Sequence, residues 1–186
     1  MKLFGTTTSP FVRRVRVVAA EVGEPIELVI TPPDQLGAVS PIRKVPVAQL
    51  GDRTIFDSRA IIDWLTITRG WGELAPPRDA WQEGNLVNAI DAAADSVIQV
   101  FYLRRDGIAV DGTPFAKRQL ERADAIFQWL APQLRTDAFG LPEITTVCML
   151  DWMDFRQQYP TERAGCERMR AAWRERTSLV QTRPPV

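Results

Sequence analysis

Two helix starts contain the residue types best suited to chemistry in this sequence. Ser58 follows Asp57 and precedes apolar residues at helical spacing, so a helix is predicted to begin at Ser58. The first N–H groups of a helix are unpaired and can bind a carboxylate. A second helix is predicted after Ser9, because Pro10 suits the first helical position. Each serine could equally be an ordinary helix cap, so residue type alone leaves both roles open.

The composition restricts the chemistry that these residues can perform. Histidine is absent, which removes the commonest general base and excludes catalysis by Ser-His or Cys-His pairs. The two cysteines, Cys148 and Cys166, form no C-x-x-C pair, so neither a disulfide framework nor a metal site is expected. Any reaction must therefore use hydroxyl groups, backbone dipoles, carboxylates, or a reactive group that the ligand supplies.

The charge balance argues against polyanionic partners. Lysine and arginine number 23 and aspartate and glutamate number 23, so no basic field attracts nucleic acid or an anionic membrane. The apolar run at the N-terminus is too short for a signal peptide, and no apolar segment approaches the ~20 residues of a membrane span. We expect a cytoplasmic protein.

Strand and helix patterns alternate in the first part of the chain. Their order, β-α-β-loop-β-β-α, is thioredoxin-like, and the first two strands should be parallel neighbours. Arg13, Arg14 and Arg16 are expected on the solvated face of the first helix. The predicted elements are a strand at 2–5, a helix from Pro10 to Gly23, a strand at 26–30, a hairpin formed by 45–50 and 54–56, and a helix from Ser58.

Helix patterns alone follow a linker at 69–79, which contains two glycines and a Pro-Pro pair. The segment 141–159 is apolar on most faces and is predicted to be the central helix. The fold class is therefore α/β plus all-α. We predict a thioredoxin-like domain at 1–76 and a domain that is a bundle of helices at 77–186.

The stretch from Ser40 to Leu65 resembles the glutathione-binding half of a glutathione transferase. The family pattern is approximately Asn-Pro-x-Gly-Lys-Val-Pro-Val-Leu followed by Glu/Asp-Ser-x-Ala-Ile. This chain keeps Lys-Val-Pro-Val at 44–47 and Asp-Ser-x-Ala-Ile at 57–61. It departs from the pattern at Ser40, Arg43 and Ala48, and Arg43 could alter the loop beside the pocket.

The second half of the chain resembles the same family independently. Residues 144–156 are similar to the core helix of bacterial glutathione transferases, and the Ala-Trp-x-x-Arg-x-Ser segment from Ala172 is similar to their usual ending. The resemblance covers almost the whole chain and assigns no class. One departure is Gly140, which cannot supply the side-chain half of the capping box that Glu143 completes.

The resemblance places Ser9 where the family has its thiol-activating residue. Ser9 and Val12 occupy the two cysteine positions of a Cys-Pro-x-Cys pair, so the protein itself has no thiol–disulfide exchange at this site. Ser9 is the expected catalytic residue, because its hydroxyl could stabilise a bound thiolate. Thr8 is the strongest alternative.

The resemblance also implies glutathione as co-substrate and assigns the other contacts with it. Ser58 and the helix start would hold the γ-glutamyl carboxylate, and Asp57 would pair with the ammonium group. Val45 would bind the cysteinyl part through its backbone if Pro46 is cis. Lys44, or Arg43, would bind the glycyl carboxylate.

The implied activity is conjugation of glutathione to a small electrophile, as in detoxification. The alternatives are a glutathione-dependent isomerase or dehalogenase, and a non-catalytic binding module with the same fold. A homodimer is implied as well. The second substrate would lie between the domains, where the apolar walls could be Phe11, Phe101, Tyr102 and Trp152, although each of these also suits the core.

Overall fold

The computed structural model describes residues 1–185, which form two compact units. The first unit contains residues 1–76 together with 174–185, and the second contains residues 77–173. The first segment of this unit ends at Pro76, the same residue at which the sequence analysis placed the end of the thioredoxin-like domain. The predicted helical domain ran to residue 186, whereas residues 174–185 pack with the first unit; Val186 lies outside the described residues.

The first unit contains a four-stranded sheet with strand order β2-β1-β3-β4. β1 and β2 are parallel, with Lys2 opposite Glu27, whereas β3 is antiparallel to both β1 and β4. This arrangement confirms the predicted thioredoxin-like topology. The strands are β1 (Lys2–Gly5), β2 (Glu27–Ile30), β3 (Val47–Leu50) and β4 (Arg53–Phe56).

Eight α-helices complete the described chain, joined by short 3₁₀ turns at Pro33–Gln35, Ala131–Gln133 and Thr161–Ala164. The predicted central helix is present as α6. The α-helices are α1 (Pro10–Glu21), α2 (Leu36–Val39), α3 (Ser58–Arg69), α4 (Ala80–Arg105), α5 (Pro114–Leu130), α6 (Leu141–Arg156), α7 (Glu167–Trp173) and α8 (Thr177–Val180).

The core of the first unit lies where α1 and α3 pack together beside the sheet. Leu3, Val15, Val47 and Ile61 are fully buried there. Gly5, at the end of β1, allows α1 to approach closely, because a Cβ at this position would lie 2.5 Å from Cγ2 of Val12. This close approach fixes the loop that leads from β1 into α1.

The second unit is built around α6, which packs against α4. The residues of α6 from Pro142 to Leu150 are all buried, as the sequence predicted for a central helix. By length and mean hydropathy α4 could span a bilayer, which the sequence analysis did not foresee. Its buried residues pack against α5 and α6, as in a core helix. Trp81, in the first turn of α4, is 87% exposed.

Glu143 supports the start of α6 in place of a capping side chain at Gly140. Its carboxylate is fully buried and accepts hydrogen bonds from the backbone N–H groups of Gly140 and Arg135, both at 3.0 Å. The guanidinium of Arg135 pairs with the same carboxylate at 3.2 Å. The capping box is therefore half present, as the sequence indicated, and an ion pair adds to the surviving half.

Two consecutive arginines of α1 are buried rather than solvated. Arg13 and Arg14 are each 2% exposed. Nη2 of Arg13 donates to the carbonyl oxygen of Leu179 at 3.2 Å, and Nε donates to Oγ1 of Thr182 at 3.4 Å. The prediction of a solvated face was wrong for Arg13 and Arg14, whereas Arg16 is partly exposed. The acceptors of Arg13 come from a segment more than 160 residues further along the chain.

The same C-terminal segment also holds the carboxylate of Glu21 at the end of α1. Arg176 donates to both oxygens of Glu21 at 2.7 Å, and the hydroxyl of Ser178 donates at 2.5 Å. Burial by itself raises the pKa of Glu21, but these hydrogen bonds lower it by more, so the pKa lies below its ordinary value. The ionised carboxylate thus stabilises the packing of residues 174–185 on α1.

Glu21→Gln should weaken this contact and its dependence on pH. A carboxyl group whose pKa is lower when folded stabilises the protein fully above its unfolded pKa of about 4.3, and the stabilisation is lost as pH falls through the folded pKa. We expect the substitution to lower the free energy of unfolding at pH 7 by about 1–3 kcal/mol. It should also reduce the difference between pH 7 and pH 3, measured by urea unfolding.

Glu27→Gln is the matched control, because the Glu27 side chain is 64% exposed and its carboxylate forms only a long ion pair with Lys2, at 3.8 Å. This change should alter stability by less than about 0.5 kcal/mol. An unchanged pH profile in Glu21→Gln would contradict the assigned role of the carboxylate.

Candidate functional site

The start of α3 presents a carboxylate directly before the first helical residue. Asp57 has φ 77° and is the N-cap, since its Oδ1 accepts the backbone N–H of Arg59 at 2.8 Å. The helix begins at Ser58, as predicted, and because Asp57 is the cap, Ser58 does not have the alternative role of a helix cap. Asp57 is exposed, whereas Ser58 is 2% exposed.

Arg14 connects the second turn of α1 to the start of α3. Its Nε and Nη2 donate to Oγ of Ser58 at 3.0 and 2.6 Å, and its Cζ lies 5.1 Å from the ring centroid of Phe11. Because a guanidinium has only donors, Oγ acts as the acceptor in both bonds and the hydroxyl hydrogen of Ser58 points to neither. Within residues 1–185 the hydroxyl hydrogen of Ser58 has no acceptor.

Sequence reasoning missed the position of Arg14. No short-range signal was available, because Arg14 lies in the second turn of α1 and its partner Ser58 lies 44 residues further along the chain.

Ser9 is the N-cap of α1, and in this role its hydroxyl oxygen acts only as a hydrogen-bond acceptor. Oγ of Ser9 accepts the backbone N–H of Val12 at 3.3 Å. The hydroxyl hydrogen has no acceptor within residues 1–185, and the residue is partly exposed. The rival residue Thr8 differs, because its Oγ1 lies 3.4 Å from Oγ1 of Thr6. Ser9 can therefore cap the helix and still donate to a ligand.

The loop before β3 contains the Lys-Val-Pro-Val motif. The Val45–Pro46 peptide bond is cis, which confirms the expectation from the resemblance. Pro46 is buried, Val45 is partly exposed and Lys44 is exposed. The backbone N–H and C=O of Val45 take part in no hydrogen bond within the part of the chain that the structure describes.

The departures from the family pattern in this loop are accommodated locally. Ser40 is buried and its Oγ accepts the backbone N–H of Ile42 at 3.3 Å, so it organises the turn. Arg43 stands where the family pattern has glycine, and its φ of 49° is a left-handed conformation that glycine adopts without strain. Its side chain lies over Gly37.

The four aromatic residues predicted for a second substrate differ in exposure. In the helical unit Trp152 is 4% exposed and packs edge-on against Phe101, with ring centroids 5.4 Å apart, so it belongs mainly to the core. Tyr102 is 48% exposed, and the guanidinium of Arg105 lies 4.7 Å from its ring centroid. Phe11, in the first unit, is partly exposed.

Thiol and metal chemistry have little support in residues 1–185. Cys148 and Cys166 are both free and buried, and burial raises the pKa of the Cys166 thiol to about 12. In these residues no group of three or more cysteine, aspartate or glutamate side chains is arranged to hold a metal ion.

Comparisons with known proteins agree with this geometry. Residues 3–72 match the family model of the glutathione S-transferase N-terminal domain. The uncharacterised GST-like protein YibF of Escherichia coli is 27% identical over 208 residues, covering 100% of this chain and 99% of that protein.

Solved structures resemble the whole chain. A glutathione S-transferase from Methylobacillus flagellatus with glutathione bound has a TM-score of 0.85 at 24% identity, covering 99% of each chain. A glutathione transferase family member from Pseudomonas fluorescens with bound glutathione has a TM-score of 0.78 at 25% identity, covering 100% of this chain and 99% of that one.

The sequence match and the structural matches point to the same family. The N-terminal unit has the strand order, the Lys-Val-Pro-Val loop and the Asp-Ser helix start on which the resemblance rested. The structural neighbours extend the similarity through the helical unit. The chain therefore contains a glutathione S-transferase N-terminal domain at residues 3–72, and it has the fold of the glutathione S-transferases.

Proposed function

We propose that this protein binds glutathione in its N-terminal unit and transfers the glutathione thiolate to a small electrophile. The observation that supports this most directly is the start of α3, where exposed Asp57 stands beside Ser58 and the buried guanidinium of Arg14. The proteins from Methylobacillus flagellatus and Pseudomonas fluorescens hold glutathione on a similar fold, which supports the same ligand here.

The γ-glutamyl end of glutathione suits the start of α3 because it bears a carboxylate and an ammonium group. The unpaired backbone N–H groups of the first turn and the hydroxyl hydrogen of Ser58 would donate to the carboxylate. Arg14 would support this from behind, since it fixes the orientation of that hydroxyl and adds positive charge. Asp57 would accept from the ammonium group.

The remainder of the tripeptide would extend along the loop before β3. The free backbone N–H and C=O of Val45 would pair with the cysteinyl part, as in the addition of a strand. Pro46 is buried and holds this loop in place. Exposed Lys44 would bind the glycyl carboxylate.

Ser9 would stabilise the thiolate, because its hydroxyl hydrogen remains available while its oxygen caps α1. The partial positive charge at the start of α1 would act in the same direction. Nucleophilic attack by a thiolate then needs an oriented electrophile and no general base, which suits a chain without histidine. We place this activity in the cytoplasm, where glutathione keeps thiols reduced.

Asp57→Asn should weaken the binding of glutathione without disturbing the helix. Asparagine is a good N-cap and tolerates positive φ, so the cap on Arg59 survives while the charge is lost. We expect the affinity to fall by about 1.5–3 kcal/mol, the value of a hydrogen bond to a charged partner. Ser58→Ala should produce a loss of the same order, and isothermal titration calorimetry measures both.

Asp52→Asn, in the exposed hairpin turn, is the control and should bind glutathione as the wild type does. Full affinity in both Asp57→Asn and Ser58→Ala would place the ligand elsewhere. Absence of binding by the wild type at millimolar glutathione would favour a non-catalytic scaffold.

Ser9→Gly should separate activation of the thiol from binding. Glycine at an N-cap costs only a few tenths of a kcal/mol relative to serine, so α1 should remain intact. In the wild-type complex we expect thiolate to form about one to two pH units below free glutathione, because a charge-assisted hydrogen bond has that value. Ser9→Gly should reverse this shift in an ultraviolet titration and slow conjugation in proportion.

The matched substitution for this test is Thr8→Val, which removes a neighbouring hydroxyl with little change of shape. It should leave both the titration and the rate unchanged. The opposite pattern, with Thr8→Val impaired and Ser9→Gly normal, would reassign the role to Thr8.

We also propose a homodimer, since the resemblance implies one. Apolar side chains exposed on the first unit are compatible with an interface: Phe56 on the edge strand β4 is 39% exposed, and Ile67 in α3 is 82% exposed. Light scattering at micromolar concentration should give twice the mass of one chain. Ile67→Asp should shift the protein towards monomer, whereas a monomeric wild type would contradict the proposal.

A further inference from the structure

The end of α6 holds a guanidinium among aromatic rings. Cζ of Arg156 lies 4.8 Å from the ring centroid of Phe155 and 5.4 Å from that of Phe101. Trp152, one helical turn earlier, packs edge-on against the same Phe101 ring. We call these four residues, Phe101, Trp152, Phe155 and Arg156, the Arg156 cluster; all of them belong to the helical unit.

Arg156 lacks the hydrogen-bond acceptors that its position calls for. Its Nε is buried and has no hydrogen-bond partner within residues 1–185. The residue as a whole is partly exposed. The buried Nε is out of reach of a ligand, so an anion would meet the terminal nitrogens, which form no hydrogen bond within the described residues.

The nearby acidic groups are occupied by other arginines. Asp151 and Asp154, on the same helix, pair with Arg170 at 2.8 and 2.6 Å. Arg104, on α4, pairs with Asp111 at 2.6 Å. Its Nη1 also donates to Oε1 of Gln158, just beyond the end of α6, at 2.8 Å.

The end of α6 therefore bears a positive charge with no acidic partner in the described chain. In the described residues Arg156 forms no ion pair. A planar guanidinium matches a carboxylate with two parallel hydrogen bonds, and it loses less hydration than an ammonium group when it stacks on aromatic rings. Aromatic rings beside it favour a ligand that is itself flat and apolar next to its anionic group.

We propose that the Arg156 cluster binds an aromatic carboxylate. The site follows from contacts within the helical unit, so it does not depend on the proposed transferase function.

The experiment compares the binding of two small probes in the absence of glutathione. Para-nitrobenzoate and para-nitrobenzamide have nearly the same shape, and only the first is an anion. Isothermal titration calorimetry on the full chain should show that the wild type binds the carboxylate at least about tenfold more tightly. Equal affinities for the two probes would overturn the proposal.

Substitutions then locate the preference. Arg156→Gln should remove the preference for the carboxylate and leave the affinity for the amide unchanged, while Arg156→Lys should keep part of it. Arg105→Gln is the matched control, because Arg105 also stacks on an aromatic ring, Tyr102, but is paired with Asp106 at 2.8 Å. This variant should retain the full preference.

Two results would overturn the proposal. An Arg156→Gln protein that keeps the preference would show that the anion binds elsewhere. An equal loss in Arg105→Gln would show that the preference reflects the general charge of the unit. Because no glutathione is present, a protein that prefers the carboxylate but fails to bind glutathione would refute the transferase function and leave the anion site standing.

Discussion

Burial of two consecutive guanidinium groups constrains the N-terminal unit more than any other interaction. Arg13 and Arg14 lie about 100° apart around α1, so they reach different neighbours. Arg13 bonds to Leu179 in the C-terminal segment, and Arg14 bonds to Ser58 at the start of α3. A buried cation without acceptors is costly, so both neighbours must be in place before α1 can pack. The candidate site and the C-terminal segment therefore depend on the same turn of the same helix.

Local patterns in the sequence were sufficient for most elements and insufficient for these contacts. The strand at 2–5 and the hairpin followed from apolar alternation and turn residues, which act over a few positions. The parallel pairing followed from the β-α-β order. The burial of Arg14 depends on Ser58, and no short window contains both residues. The same limit explains why the packing of residues 174–185 with the first unit was not expected from the sequence. Asp57 and Ser58 were found because a known motif, rather than periodicity, identified them.

The candidate site shows how hydroxyl groups can serve two purposes in a chain without histidine. A serine oxygen accepts a hydrogen bond while its hydrogen is donated, so one side chain can stabilise the protein and contact a ligand. Ser9 accepts from the backbone of α1, and Ser58 accepts from Arg14. Structural and chemical roles at these positions are therefore not alternatives. A substitution separates the two roles when it removes the donor and still leaves the helix with an adequate cap, as glycine does at an N-cap position.

Residues 174–185 belong to a unit whose other residues end at Pro76, so the chain of the first unit is discontinuous. On the ribosome, α1 emerges early, yet the acceptors of Arg13 and the partners of Glu21 emerge only after the whole helical unit has been made. The helical unit, continuous in sequence, can form while it is being synthesised. The first unit to begin synthesis is thus the last to be completed. During that interval its exposed arginines and unfinished core are the part of the nascent chain that most needs protection from aggregation.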